Sequence, residues 1–557
     1  MKQKQDLDLP TCWYQIMPDK FAYVGAGVDK RSVWSQEPTE SLRHGGTLDG
    51  ITEKVENGYF DWISKNGITW GIYLTPIYEN ASSYHKYWPD DHWQVDKELG
   101  GAEGLRKLVA ELKKTGGLLM VDLVFNHTGI THYFFLDILR YGGKSQYYSH
   151  YRQLPDLKKE KIRIPILDNT KAPAEQARVV NGDTLVINYR FYFHHLTESI
   201  TFKENCIEGA HFQFVRRNQT PNYGCWWGFP ELPELNTSNK DVKDYLFHSA
   251  CIYLELGIRH FRLDVPDALS NAEEFWKEFR TFFKSKTVNY EENYNIYLAG
   301  EVWDRKAFKK WLQPRNGKPA IFDAVMNYPL RRSVINFLSP ENISEEYGKE
   351  TGPGTWNASE TRHYIEEVWG EIELETRIKQ LNLLGSHDVT RLANLIGNLQ
   401  DRKTALSLLF SFPGIPCIYY GDELGIKGKA GLEGARTTVS WTTKAVALVE
   451  DDGLIGFLGV MIRIRKMCAE WSTGSFAWVG KHEQILAYER IGEGNRSIII
   501  AAPSSVCNSI LLNWIQQEVE IGLYKVQGLS ESITLADLTE GVIGKIRMQT
   551  GAILARR

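Results

Sequence analysis

The sequence predicts an α/β protein built on a closed (β/α)8 barrel, a TIM barrel. Three observations predict it: eight short apolar runs, amphipathic stretches between them, and a 557-residue chain that can hold a barrel of ~250 residues or more. The runs lie at residues 11–18, 70–74, 118–124, 258–264, 296–301, 320–325, 381–386 and 415–420. Leu118–Val124 is apolar on both alternating faces, as a buried parallel strand requires. Leu105, Leu108, Val109 and Leu112 recur at helical spacing within 102–114, and 271–284 reads as a helix too. Alternating buried strands and helices allow an open doubly wound sheet or a closed barrel, and eight strands favour the barrel.

One interval breaks the alternation. Residues 125–238 are far longer than an ordinary βα connection and read as an inserted subdomain after the third strand. It contains Pro165–Asp168 and an aromatic knot at Tyr189–His195. It closes at Leu235–Ser238, where Ser238 with Asp241 three residues on predicts a capping box for the next helix. Beyond about residue 472 helical periodicity gives way to short β-rich segments such as Ile485–Tyr488 and Ser497–Ala501. The expected organisation is a barrel from 1–126 and 237–471, an insertion at 127–236 and a C-terminal β-sandwich at 472–557.

Composition narrows the function. A hydrophobic fraction of 43% excludes wholesale disorder, and Lys+Arg 65 against Asp+Glu 69 argues against nucleic acid as the main partner. The 17 Trp, 27 Tyr and 24 Phe fill cores by default, yet they also stack on flat, weakly polar ligands such as sugars and bases. The N-terminus lacks the apolar segment of a secretory signal, and no run approaches the ~18 apolar residues of a membrane span. Seven scattered cysteines show no CxxC or zinc spacing, and HExxH is absent. A reduced, cytoplasmic enzyme with buried thiols is expected.

In a barrel, chemistry sits at the C-terminal ends of the strands. Those ends read Val121–Thr128, Ile258–Asp264, Leu298–Glu301 and Leu384–Asp388. Asp264, Glu301 and Asp388 therefore converge on one rim, beside Arg262, His127 and His387. Crowded carboxyls raise the pKa of one member, and a guanidinium keeps another ionised. Arg262 and Asp264, two apart on one strand, face the same way. One acid and one nucleophile flanking a bond are what retaining glycoside hydrolysis needs.

At this point the motifs resemble a family. Asp122–His127, Phe261–Asp264, Gly300–Val302 and Ser386–Asp388 are similar, in order, to the four signatures of the α-amylase superfamily, glycoside hydrolase family 13. The resemblance runs from about residue 11 to the end. Tyr14–Phe21, Leu74–Ile77, Tyr84–Trp88, Phe322–Pro329 and Phe412–Pro416 look most like its neopullulanase, cyclomaltodextrinase and maltogenic amylase branch.

The resemblance implies a role for each residue. Asp264 is the implied nucleophile and Glu301 the acid/base, while Asp388 would favour the distorted ring. Arg262 would orient Asp264, His127 and His387 would bind hydroxyls, and Tyr87 would stack beneath the same sugar. No cofactor is required. Asn126 stands at a possible calcium position, although Asp264–Ala268 lacks the usual histidine. Val265 resembles enzymes that tolerate α-1,6 bonds, and Leu232–Asn236 approximates the branch's fifth signature with two changes. Leu432–Arg436 lacks the usual Asp-Pro. Trp226 and Trp227 suit a sugar platform and hinge packing equally.

The expected function is hydrolysis of α-1,4 bonds in maltooligosaccharides, with α-1,6 bonds and cyclodextrins as further candidates. A glucanotransferase is the alternative, and a non-catalytic carbohydrate-binding barrel a remote one. The substrate is a neutral α-glucan, with no nucleic acid or membrane partner. No module of the kind that builds the dimer in cyclodextrin-degrading relatives precedes Tyr14, and oligomeric state stays open.

Overall fold

The computed structural model describes residues 8–556 apart from 26–32, 40–41, 66, 81–82, 168–176, 181–182, 189–190, 195–198, 203–204, 217, 289–295, 315–319, 340–355, 430–432, 442–453, 494, 507–509, 511–524 and 527–551. Asp168, Tyr189, Arg190, His195 and Leu432 of the segments discussed above thus lie outside the described residues.

Eight parallel strands close into a barrel. They are β1 (Trp13–Ile16), β2 (Trp70–Leu74), β3 (Gly117–Leu123), β4 (His260–Leu263), β5 (Tyr297–Gly300), β6 (Ala324–Asn327), β7 (Leu381–Leu383) and β8 (Ile415–Tyr419). Each pairs with its sequence neighbours, and β1 also pairs with β8. The interior is filled by Trp13, Tyr73, Met120, Tyr297, Met326, Leu381, Ile415 and Cys417, so the barrel is a packed core. Gly71 on β2 makes room for the largest of these: a Cβ there would overlap the Trp13 ring.

Three sequence expectations shift in the structure. The run at 320–325 does not pair along its length. Ile321 and Phe322 donate their N–H groups to the Trp311 carbonyl, and Phe322 stacks on Trp311 at 4.8 Å, so the strand begins only at Ala324. The seventh strand stops at Leu383 rather than continuing to 386, because the Leu384 carbonyl accepts from Arg331 Nε at 3.0 Å instead of a neighbouring strand. Ser238 does not cap the next helix. That helix starts at Lys240, and Asn239 caps it by accepting from the N–H groups of Asp241 and Val242.

After β3 the chain leaves the barrel and returns against itself. Leu235 N–H donates to the Asn126 carbonyl, Thr128 N–H to Pro233 and Ile130 N–H to Glu231. The strands between, from Ala177–Val180 to Asn205–Glu208, form a five-stranded antiparallel sheet. The C-terminal part forms another, from Ser475–Trp478, Leu486–Ile491, Arg496–Ala501, Ala552–Arg556 and Lys525–Val526 in that spatial order. It is fastened to the barrel where Tyr488 and Arg490 bond the hydroxyl and carbonyl of Ser411 at 2.7 and 2.8 Å. Among the described residues no helix is long and apolar enough to cross a membrane.

Candidate active site

The barrel ladder itself brings two acids together. Leu263 pairs with Leu123 on one side and Gly300 on the other. The ladder continues one step past the strands: Asp264 N–H donates to the Leu123 carbonyl and Glu301 N–H to Leu263, each at 2.9 Å. The residues following β4 and β5 are therefore held in adjacent rows by backbone bonds, before any side chain contributes.

Arg262 occupies the centre, fully buried on β4. Its Nη1 donates to both oxygens of Asp122 at 2.8 and 2.9 Å and to Asp264 Oδ1 at 2.8 Å. Its Nη2 lies 2.7 Å from Glu301 Oε2 without hydrogen-bond alignment. One guanidinium thus faces three carboxyl groups, more negative charge than it neutralises, and a buried cluster of this kind retains a proton. Burial pushes Glu301 up to about 7; Arg262 opposes this, and Asp388 adds to it. Burial also holds the Asp264 pKa well above the ordinary carboxylate value; Arg262 opposes this, and Glu301 and Asp122 add to it. Glu301 accepts from the Trp303 indole at 3.1 Å and from Val265 N–H at 3.2 Å. Val265 takes a positive φ of 34° where the chain turns out of β4.

Asp388 stands further out, its side chain 25% exposed against 9% for Asp264 and 6% for Glu301. Burial would raise its pKa, but His387 and Arg436 pull it below the ordinary carboxylate value. Arg436 Nη2 lies 3.2 Å from Asp388 Oδ1, and its Nε donates to the His387 carbonyl at 3.1 Å. Arg331 secures the same loop at both ends, donating to the carbonyls of Leu384 and Thr390.

The remaining predicted residues join this network. Tyr87 donates to Asp122 Oδ2 at 2.9 Å, meets His387 Nε2 at 2.7 Å and stacks its ring on His387 at 5.1 Å and 12°. Lys86, at a positive φ of 64°, anchors that loop through Asp96 at 2.7 Å and the Asn80 carbonyl at 2.9 Å. His127 Nε2 donates to the Tyr87 carbonyl at 3.0 Å, and burial lowers its pKa to about 4. Beyond it Trp226 lies parallel at 6.4 Å, and Trp227 stacks on Trp226 at 5.6 Å with 66% exposure. Tyr87, His127, Arg262, Asp264, Glu301, His387 and Asp388 are thus all brought into one connected cluster.

Several contributors were not singled out from the sequence. Asp122 lies within a signature but is the main partner of Arg262. Arg436 was quoted in its loop without a contact. Trp303 and Tyr328 form a stacked pair beside Glu301. Gln15 touches His387, and a lone amide within the apolar run of β1 was the signal that marked it. Asn126 directs its side-chain amide to His127 Nδ1 at 3.4 Å, and its backbone carbonyl accepts from Leu235 N–H. Among the described residues no group of three His, Cys, Asp or Glu side chains is placed to hold a metal ion.

Residues 15–453 match the alpha-amylase catalytic domain family. A cyclomaltodextrinase from a Bacillus species is 30% identical over 515 residues, spanning 89% of this chain and 74% of its own length. The intracellular maltogenic amylase of Bacillus subtilis strain 168 is 28% identical over 75% of this chain and 56% of its own. Among solved structures, the cyclic α-maltosyl-(1→6)-maltose hydrolase of Arthrobacter globiformis superposes with a TM-score of 0.64 at 25% identity, covering 88% of this chain and 90% of that one.

Proposed function

The chain belongs to the alpha-amylase family of glycoside hydrolases, and from that premise we propose that it hydrolyses α-1,4-glucosidic bonds of maltooligosaccharides and cyclodextrins with retention of configuration. The observation that carries this reading is the unequal hold of Arg262 on two neighbouring carboxyls. It gives Asp264 a directed hydrogen bond at 2.8 Å and Glu301 an unaligned approach. The shared proton accordingly resides on Glu301, and Asp264 is the anion.

Asp264 attacks the anomeric carbon while Glu301 delivers its proton to the departing glycosidic oxygen. The glycosidic C–O bond breaks as the ester bond forms. Glu301, now a carboxylate, takes a proton from water, whose oxygen attacks the same carbon and releases Asp264. Glu301 thus releases and regains one proton across the cycle, Asp264 carries none at any stage, and each step draws on no metal or cofactor. Asp388, kept anionic by Arg436, stabilises positive charge developing on the ring. His387 and His127, both held neutral by burial, hydrogen-bond sugar hydroxyls, and Tyr87 stacks beneath the ring.

A neutral glucan suits this site, because it needs stacking rings and hydrogen bonds rather than a charged field. A cytoplasmic location belongs to the same reading, supported by the free thiols of Cys12, Cys225 and Cys417 and by the intracellular relative. The Trp226–Trp227 stack beside His127, with Trp227 exposed, favours a second outcome, transfer of the glucosyl group to a sugar acceptor resting there instead of to water.

The test is incubation with maltoheptaose, pullulan, β-cyclodextrin and starch with products followed over time, together with trapping by a 5-fluoro glycosyl fluoride. An adduct on Asp264 and α-configured products are expected. An adduct on another residue, or inverted products, overturns the reading. Oligosaccharides longer than the substrate at high maltose concentration assign transfer.

A further inference from the structure

We propose that Gln15 is a positioning residue that decides which nitrogen of His387 carries the proton, and so sets the direction of a hydrogen-bond chain running from β1 to the Asp122–Arg262–Asp264 cluster. Gln15 is buried at the third position of β1, in register with Tyr73 on β2 and Tyr419 on β8. Its side-chain amide meets His387 Nδ1 at 2.9 Å. An amide can present either N–H or C=O there, and the surroundings decide between them.

The decision is made at the other side of the ring. His387 Nε2 faces Asp388 Oδ2 at 3.1 Å and the Tyr87 hydroxyl at 2.7 Å. Asp388 is an anion, paired with Arg436, and can only accept. A lone pair on Nε2 would oppose a carboxylate lone pair, so Nε2 bears the hydrogen. Burial keeps the ring neutral, with its pKa at about 3, so Nδ1 holds the lone pair. Gln15 must therefore turn its NH2 toward it.

The same polarity runs onward. The Tyr87 oxygen accepts from His387 Nε2, leaving its own hydrogen for Asp122 Oδ2 at 2.9 Å. Every link then donates in one direction, from Gln15 to His387 to Tyr87 to Asp122. Reversal at Gln15 would claim the Tyr87 hydrogen for Nε2 and set a lone pair against Asp388. It would also deprive Asp122 of a donor. Asp122 would then compete more strongly for the Arg262 Nη1 that it shares with Asp264. A wrongly protonated histidine is costly in other hydrolases for the same reason, loss of the correct tautomer.

The proton placement stands on geometry, and its effect on rate rests on the hydrolase reading above, so the experiment has two arms. Neutron diffraction from deuterium-exchanged crystals of the unaltered protein should show a deuteron on His387 Nε2, none on Nδ1, and the ND2 of Gln15 facing the ring. A deuteron on Nδ1 overturns the proposal, whatever the protein hydrolyses. In the second arm, Gln15→Glu keeps the shape but presents only acceptors, whereas Gln15→Met removes the donor without adding an acceptor. On maltotriose, Gln15→Glu should lower kcat by about 10- to 100-fold, the range over which partners that orient functional histidines act. KM should change little, and Gln15→Met should lose less. Equal losses in both variants would reduce Gln15 to packing and overturn the positioning role.

Discussion

The indole of Trp303 lies 3.9 Å from the ring of Tyr328 and within 16° of parallel, and from that stack its N–H reaches Glu301 Oε1 at 3.1 Å. Tyr328 is itself tied to the neighbouring strand end through Ser386 at 3.2 Å. The Glu301 carboxyl is thus steered by an aromatic pair that links the ends of β5, β6 and β7.

Trp303→Phe preserves the stack and removes the hydrogen bond. A donor to a carboxylate favours its ionised form, so its loss raises the pKa of Glu301. The alkaline limb of the kcat/KM profile should move to higher pH, with kcat/KM falling about tenfold, as for one hydrogen bond to a charged group. An unmoved limb would show that the indole does not steer the carboxyl.

Glu301 carries a pKa raised to about 7, with burial as the main cause. A general acid works only while protonated, so kcat/KM should decline as pH rises through about 7. Glu301→Gln should abolish cleavage of maltooligosaccharides. It should spare substrates with activated aryl leaving groups, which depart without protonation. Equal losses on both substrate types would count against the assignment.

Arg436 is the cation aligned with Asp388 on the rim. Arg436→Met keeps much of the side-chain volume but removes that charge, so the Asp388 pKa rises and a larger fraction is protonated at low pH. The acidic limb of kcat/KM should shift upward in pH. A fall of about 10- to 100-fold is expected from weaker stabilisation of the oxocarbenium-like ring. Steady-state kinetics between pH 4 and 8 would read both.

Gly71→Ala tests the barrel interior. The added methyl has only the buried ring of Trp13 to occupy. Overpacking of this kind costs about 1–3 kcal/mol, and denaturant unfolding should report it. A variant as stable as the parent would mean that the two strands move apart freely.

Much of the architecture was legible because a barrel strand advertises itself locally. Seven apolar runs each contain a barrel strand close to where periodicity puts it. The eighth, at 320–325, overlaps its strand only at Ala324 and Val325, because Ile321 and Phe322 are as apolar as strand residues but spend their N–H groups on Trp311. The helix cap lies one residue beyond the position the sequence favours, since Ser238 and Asn239 are both good caps and the choice depends on where the helix starts.

By itself, then, the sequence determined the eightfold alternation that favours a barrel and placed Arg262 and Asp264 on one face of a strand. It also carried the four motifs that mark Glu301, Asp388, His127 and His387. These follow from short-range rules: strand period, apolar patterning and local motif. Only the tertiary structure decided that Arg262 is shared between Asp122, Asp264 and Glu301, and that Arg436 meets Asp388. It alone brought Trp303 to Tyr328 and Gln15 to His387. Those partners come from separate strand ends and loops. Barrel closure sets their distances, and no local pattern encodes which lone pair will face which hydrogen.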